Sequence, residues 1–143
     1  MARASVDEAQ WQRLLAAARQ VRQHAHAPYS RYRVGAALLA DSGEVFVGCN
    51  VENASYGLTM CAERVAVGAA VAAGVTRFSA LVLVTPGSEP ARPCGACRQV
   101  LVEFPPAFPV RCHAADGSAW LRTTTARLLP HAFDARALRD ADE

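Results

Sequence analysis

The chain is organised around CAERVAVGAAVAAG, residues 61–74. After its polar start this segment is almost entirely small or apolar, which on a helix means burial on several sides and close approach of neighbouring backbones. A second short motif, PCGACR at residues 93–98, stands at the predicted start of another helix. The helix formed by residues 61–74 is therefore predicted to lie centrally in the fold. Thiols stand at the start of this helix and of the helix that begins near residue 94.

The segment before residue 30 predicts the first helix of the chain. Apolar residues recur there at helical spacing, so a helix is predicted over about residues 6–24. Ser5 and Glu8, three residues apart, predict a capping box at its start. Pro28-Tyr29-Ser30 then predicts a turn.

Shorter patterns predict the remaining elements, since alternating or continuous apolar runs are typical of strands and Gly and Pro clusters mark their ends. The predicted spans are a hairpin of residues 33–40 and 44–49, a strand at 79–85, a helix at 94–104, strands at 110–114 and 119–122, and helical pieces at 123–128 and 133–138. This order predicts an α/β fold with three α/β/α layers and a mixed five-stranded sheet. Residues 1–143 are short enough for one domain.

Charge and hydropathy exclude several function classes. Lys and Arg total 15 and Asp and Glu total 13, giving a net charge of +2, so the chain lacks the positive field of a protein that binds a phosphate backbone. We therefore expect no nucleic-acid partner and a small, weakly charged ligand. Met1–Gln10 has no apolar run and Val65–Val75 is too short to span a bilayer, so we expect no membrane partner and a cytoplasmic protein.

The five cysteines favour free thiols over a disulfide framework, because a cytosolic chain stays reduced. Cys49 and Cys112 lie in strand-like apolar surroundings, where we expect small buried hydrophobic residues. The other three cysteines stand at the two predicted helix starts.

Cys61, Cys94 and Cys97 have the pattern of a metal site. Cys94 and Cys97 are three residues apart and project from one helix face, where the positive end of the helix favours thiolates. Helix starts that abut would bring Cys61 to the same point. Three protein ligands are typical of catalytic zinc with one position left open. A thioredoxin-like redox pair, or a structural zinc site completed by Cys112 or His113, remains as an alternative.

Residues beside the thiols predict supporting roles. Glu63, two residues after Cys61, cannot share its helix face, so it is badly placed as a ligand and well placed as a general base beside a metal-activated water. Three thiolates would leave zinc with excess negative charge. Arg64 and Arg98 are predicted to offset it by hydrogen-bonding the sulfurs, with a surface salt bridge as the alternative for each.

With these residues in place, the chain resembles the small homotetrameric cytidine deaminases of pyrimidine salvage over nearly its whole length. The motifs that carry the resemblance are Pro28-Tyr29-Ser30, Val34-Gly35-Ala36-Ala37-Leu38, the segment from Gly48 to Thr59, Cys61-Ala62-Glu63-Arg64 and Pro93-Cys94-Gly95-Ala96-Cys97-Arg98-Gln99.

The resemblance implies a zinc ion (Zn²⁺) on Cys61, Cys94 and Cys97. It also implies that Glu63 activates water for attack on C4 of cytosine and passes protons to N3 and to the departing amino group. Cytidine and 2′-deoxycytidine would become uridine and 2′-deoxyuridine, with release of ammonia.

The resemblance further assigns residues to the pyrimidine nucleoside. Asn50 and Glu52 match the pair that binds the ribose hydroxyls, although from the residues alone they read equally well as loop-capping groups. Ala54, Tyr56 and Phe133 match residues that complete the site of a neighbouring subunit in a homotetramer. Tyr32 falls at the base-stacking position, where the family commonly has Phe, so its hydroxyl needs a partner or water.

Three alternatives remain at this stage. One is a deaminase of a related aminopyrimidine nucleoside or a nucleoside antibiotic, although the Asn50 and Glu52 pair disfavours an antibiotic without ribose. A polynucleotide editor is disfavoured by the low charge. A zinc-stapled binding module without catalysis is the third.

Overall fold

The computed structural model describes residues 5–139. Its elements fall close to the predicted spans, with differences of a few residues at their ends. In chain order they are α1 (Glu8–Arg22), β1 (Gly35–Ala40), β2 (Val45–Cys49), a 3-10 turn (Tyr56–Leu58), α2 (Ala62–Ala72), β3 (Phe78–Thr85), α3 (Gly95–Val102), β4 (Pro109–Ala114), β5 (Trp120–Thr124), α4 (Thr125–Leu128) and α5 (Ala135–Arg139).

The strands form one mixed five-stranded sheet in the order β2-β1-β3-β4-β5, as predicted. Strand β1 is antiparallel to both β2 and β3, β3 is parallel to β4, and β5 is antiparallel to β4. Strands β2, β3 and β4 therefore run in the same direction, and their carboxyl ends lie at one edge. Helices α2 and α3 follow β2 and β3, so both begin at that edge.

Helices cover both faces of the sheet, which confirms the three-layer prediction. On one face, α1 buries Trp11 and Leu14 against Val82 and Val84 of β3. On the other face, a second apolar cluster joins α2 and α3 to the sheet. Every residue of β3 is buried, because a central strand between two helical layers has no solvent face.

The predicted capping box of Ser5 and Glu8 is wrong. Helix α1 is capped by Asp7, whose side chain accepts from the Gln10 backbone at 2.8 Å, while Gln10 accepts from the Asp7 backbone at 3.0 Å. Both pairs have the same spacing, but the Asp carboxylate is a strong cap at the residue directly before the helix. Glu8 instead forms an ion pair with Arg111 at 3.2 Å.

Gly48 lets the first turns of α2 pack directly on β2. A Cβ atom at Gly48 would lie 2.3 Å from the Ala62 carbonyl oxygen and 2.4 Å from the Ala66 nitrogen. Both are backbone atoms, so a side chain could be accommodated only by moving the helix. Gly48 therefore fixes the position of the turn that carries Cys61 and Glu63.

We expect Gly48→Ala to lower the free energy of unfolding by about 1–3 kcal/mol, the usual range for overpacking, and to reduce zinc content. Gly68→Ala in the same helix is the matched control, since a Cβ there meets nothing within 4 Å. It should keep zinc and gain helix propensity. Thermal unfolding and metal analysis of both variants check this. Equal zinc content in both would show that α2 need not lie so close to β2.

Within residues 5–139, no helix combines the length and apolar content needed to cross a membrane. The prediction that Met1–Gln10 carries no signal peptide falls partly on residues 1–4, which lie outside the described range.

Candidate active site

Cys61, Cys94 and Cys97 come together at the edge of the sheet where α2 and α3 begin. Cys61 is the N-cap of α2 and Cys94 is the N-cap of α3, with Cys97 one turn further on. Their sulfur atoms all lie within 4.8 Å of one another, and those of Cys61 and Cys94 are 3.8 Å apart. Among the described residues this group contains neither Cys112 nor His113, which disfavours the closed structural site.

The arrangement fits a zinc ion. Two sulfurs bound tetrahedrally to zinc at about 2.3 Å lie about 3.8 Å apart, which is the Cys61–Cys94 separation. Cys97 is buried, Cys61 is half-buried and Cys94 is exposed, so the cluster is closed on its inner side and accessible from the outer side. Three thiolate donors with one accessible side are what an open catalytic zinc site requires.

A hydrogen bond couples the titration of Cys61 and Cys97. The hydrogen bond with the Cys97 thiol, with further support from Arg64, lowers the pKa of Cys61 to about 5. The same hydrogen bond, with burial, raises the pKa of Cys97. The two sulfurs therefore share a proton between them, and a bound metal would displace it because metal ligation releases thiol protons.

Arg64 contacts the cluster and Arg98 does not. The Arg64 Nη2 atom lies 3.5 Å from the Cys61 sulfur and 3.5 Å from the Thr59 carbonyl oxygen, so the predicted hydrogen bond to a sulfur is present. The prediction for Arg98 is wrong. Its guanidinium donates to the carbonyl oxygens of Pro93 at 2.7 Å and Leu128 at 2.9 Å, because its side chain reaches back along α3 and across to α4.

Glu63 lies in the first turn of α2 and is only 4% exposed. Burial raises the pKa of its carboxyl group, and the negative charge of Cys61 acts in the same direction. A carboxyl group whose pKa is raised is a stronger base and can also act as an acid, which general acid–base chemistry needs.

Asn50 and Glu52 pin two neighbouring loops. Asn50 accepts from the Val34 backbone at 2.9 Å and donates to the Tyr32 carbonyl oxygen at 2.7 Å. Glu52 accepts from the backbone of Tyr29 at 3.0 Å and of Ser30 at 3.1 Å. These are the contacts of the loop-capping alternative, and they leave further hydrogen-bonding capacity on both side chains.

The remaining predicted substrate residues are exposed. Tyr32, Tyr56 and Phe133 are 44%, 75% and 62% exposed, and Ala54 is also at the surface. Tyr56 packs edge-on against Tyr29, with ring centroids 5.9 Å apart. The large rings of Tyr56 and Phe133 are therefore uncovered in the single chain.

A cleft of about 390 Å³ connects several of these groups. It is lined by Tyr29, Ser30, Glu52, Tyr56 and Thr59. The Thr59 carbonyl oxygen accepts from Arg64, whose guanidinium also contacts the Cys61 sulfur. A larger cavity of about 740 Å³ lies between α3 and the C-terminal helices, and its lining includes none of the predicted site residues.

Sequence reasoning missed Ser30 and Thr59. Ser30 stands in the quoted Pro28-Tyr29-Ser30 motif, where a serine is equally typical of a plain turn. Thr59 contacts Arg64 through its backbone carbonyl, a group that every residue carries, so no sequence signal could have found it.

Several known proteins resemble this chain in both sequence and structure. A sequence profile of the cytidine and deoxycytidylate deaminase zinc-binding region matches residues 8–110. Cytidine deaminase from Sporosarcina psychrophila is 45% identical over 133 residues, which cover 92% of this chain and 97% of that protein. The crystal structure of cytidine deaminase from Burkholderia pseudomallei has a TM-score of 0.81 and 47% identity, covering 85% of this chain and 98% of its own. For the crystal structure of the Mycobacterium tuberculosis cytidine deaminase, the TM-score is 0.74 and the identity 41%, over 90% and 98% of the two chains.

Proposed function

The chain belongs to the family of cytidine and deoxycytidylate deaminases, and on that premise we propose that it hydrolyses cytidine and 2′-deoxycytidine. The products are uridine and 2′-deoxyuridine, with release of ammonia, in pyrimidine salvage. The observation that carries the proposal is a three-cysteine cluster accessible on one side with the buried carboxyl group of Glu63 in the same helical turn as Cys61.

Cys61, Cys94 and Cys97 would hold the zinc ion, which would supply a Lewis acid that makes water a nucleophile near neutral pH. Glu63 accepts a proton from water as the water attacks C4 of the cytosine ring. Glu63 then delivers this proton to N3. It then takes the remaining proton from the hydroxyl group that has added to C4 and passes it to the departing amino group. The C–N bond breaks as the carbonyl group forms, so that one water enters and one ammonia leaves. Burial of Glu63 supports this role, because a carboxylate removed from solvent binds a proton more strongly and is therefore a stronger base.

Arg64 offsets part of the negative charge of the cysteine cluster. Three thiolates around a divalent cation carry excess negative charge, which weakens its action on water. The guanidinium of Arg64 beside the Cys61 sulfur withdraws part of that charge. Arg98 supports the site differently, by tying the start of α3 to the end of α4.

Asn50 and Glu52 bind the ribose hydroxyls, and Tyr32 stacks on the base. Asn50 keeps one amide N–H and one oxygen lone pair beyond its two loop contacts, and Glu52 keeps a lone pair as well. Together they can offer a donor and an acceptor to a sugar hydroxyl. The cleft beside Glu52 supports this placement of the sugar.

The test of this function is hydrolysis of cytidine by purified protein with about one zinc ion per chain. Loss of the cytidine absorbance should be matched by an equal amount of ammonia. Turnover of a different aminopyrimidine nucleoside without cytidine turnover would replace the substrate, and zinc binding without any turnover would favour the binding-module alternative.

Homotetramer formation would complete the site, with Ala54, Tyr56 and Phe133 reaching a neighbouring subunit. The exposure of Tyr56 and Phe133 supports this assembly, because large uncovered rings are typical of protein contacts. Light scattering is expected to give a mass of about four chains. A monomer with full activity would exclude shared sites.

Cytoplasmic location follows from the same chemistry. Free thiol ligands need a reducing compartment, in which disulfide formation does not compete with metal binding.

A further inference from the structure

We infer that Ser30 is a positioning residue for the substrate, holding the Glu52 carboxylate and the backbone of Tyr32 in the geometry that receives the nucleoside. This inference rests on the proposed function, since it takes Glu52 as the ribose-binding carboxylate. It adds a residue that neither contacts the metal nor was assigned a role from the sequence.

Ser30 joins the two parts of the nucleoside site through one hydroxyl group. The Oγ atom donates a hydrogen bond to Oε2 of Glu52, and it accepts from the Tyr32 backbone at 3.0 Å. A hydroxyl has one donor and two acceptor positions, so both contacts can form together. The ribose carboxylate and the base-stacking residue are thereby fixed relative to each other.

The hydrogen bonds that Glu52 accepts make the Ser30 contact important for the orientation of its carboxylate. Oε1 accepts from the backbone of both Tyr29 and Ser30, which uses its two lone pairs. Oε2 accepts from the Ser30 hydroxyl, which leaves one lone pair free. The Ser30 hydroxyl therefore determines which lone pair of Oε2 remains free to accept from a ribose hydroxyl.

The backbone between Ser30 and Tyr32 needs such support. Arg31 has a φ of 59°, in the left-handed region that a residue with a side chain rarely adopts. Ser30 holds the N–H of Tyr32 and Asn50 holds its C=O. Tyr32 is thus secured on both sides of its peptide backbone, immediately after the strained residue.

The Ser30 hydroxyl also favours the charged form of Glu52. Its hydrogen bond lowers the pKa of the Glu52 carboxyl, with smaller contributions from the backbone of Ser30 and Tyr29. A charged acceptor makes the stronger hydrogen bond with a sugar hydroxyl. Ser30 itself is exposed, so removal of its hydroxyl leaves the core intact.

The test compares Ser30→Ala, Ser30→Thr and the control Ser42→Ala, in the turn between β1 and β2, on cytidine and on 2′,3′-dideoxycytidine. For Ser30→Ala, KM for cytidine should rise about tenfold, as expected for loss of a hydrogen bond to a charged group. Its kcat should stay within about threefold, because the metal cluster and Glu63 are untouched. Ser30→Thr retains the hydroxyl and should restore KM, and Ser42→Ala should match the unchanged protein.

The dideoxy substrate isolates the route through Glu52. It lacks the ribose hydroxyls that Glu52 would receive, so Ser30→Ala should raise its KM by less than about threefold. The effect of Ser30→Ala should likewise shrink in a Glu52→Ala background, because the two residues act as one unit. An equal rise of KM for both nucleosides would overturn the role of Ser30 through Glu52, and an unchanged KM for cytidine would overturn the inference as a whole.

A measurement without turnover separates this inference from the proposed function. In protein labelled with ¹³C at glutamate, the pKa of the Glu52 carboxyl should be higher in Ser30→Ala than in the unchanged chain, whatever the substrate. Failure of the unchanged protein to deaminate cytidine would reject the proposed function alone. An identical Glu52 pKa in both proteins would reject the role of Ser30.

Discussion

Replacing Glu63 by glutamine is expected to lower kcat for cytidine by about 10⁴-fold, the upper end of what one general acid–base group contributes. The amide is nearly isosteric with the carboxyl group but cannot accept or release the protons that the reaction moves. We expect the upper end of that range because the proposed mechanism uses the same carboxyl group in successive proton transfers. KM should change by less than about fivefold, since the proposed nucleoside-binding residues Asn50, Glu52 and Tyr32 are unchanged.

Fold and metal content should survive this substitution. Glu63 is 4% exposed and its carboxyl pKa is raised by burial, so a neutral amide removes the cost of a buried charge. Absorbance assays, metal analysis and thermal unfolding check the three expectations together. Glu44→Gln, in the turn before β2, controls for loss of a carboxylate and should behave as the unchanged protein. If Glu63→Gln kept activity within about tenfold, another group would have to move the protons.

Hydrophobic patterning predicted most of the fold because burial dominates element formation. The continuous apolar run of β3 indicated a strand covered on both faces, and every residue of it is buried. The start of α1 shows the limit of local patterns. The two candidate caps, Ser5 with Glu8 and Asp7 with Gln10, have similar chemistry and the same spacing. Glu8 instead forms an ion pair with Arg111 on β4, and a local pattern does not predict a contact between segments so distant in sequence.

The metal cluster was predictable for a reason specific to its chemistry. Three thiols at two predicted helix starts match the ligand number of a catalytic zinc site, so Cys61, Cys94 and Cys97 stood out before their distances were known. Their convergence follows from sheet topology, because β2 and β3 run in the same direction and place both helix starts at one edge.

Long polar side chains were less predictable. Arg64 and Arg98 follow ligand-bearing turns alike, yet only Arg64 contacts a sulfur, while Arg98 binds two backbone carbonyls. A flexible guanidinium selects its partners from the whole surrounding structure. Ser30 escaped notice for a related reason, since its partner Glu52 becomes a neighbour only when two loops fold together.

The second large effect is expected for Cys97→Ala, which should abolish zinc binding and activity together. Cys97 is the fully buried member of the cluster, and its loss leaves two sulfurs at the more exposed side. Two protein ligands do not hold zinc against water and competing chelators as three do. Metal analysis after dialysis should find no zinc in the variant, against about one ion per chain in the unchanged protein.

The loss of zinc should also lower stability, because a metal that binds only the folded state stabilises it. At free zinc about a hundredfold above the dissociation constant, the contribution is about 3 kcal/mol, so Cys97→Ala should unfold at a clearly lower temperature. A chelator should lower the midpoint of the unchanged protein and leave that of the variant where it is.

Cys112→Ala separates metal loss from the removal of a buried thiol. Cys112 is as buried as Cys97 but lies on β4, outside the cluster. Its replacement should reduce the free energy of unfolding by about 1–2 kcal/mol through the cavity it leaves, while zinc content, activity and the response to chelator persist. Zinc retained at the unchanged level in Cys97→Ala would mean that the ion is held elsewhere. Zinc lost from Cys112→Ala would mean that β4 contributes a ligand, and the open three-cysteine site would then have to be replaced by a closed one.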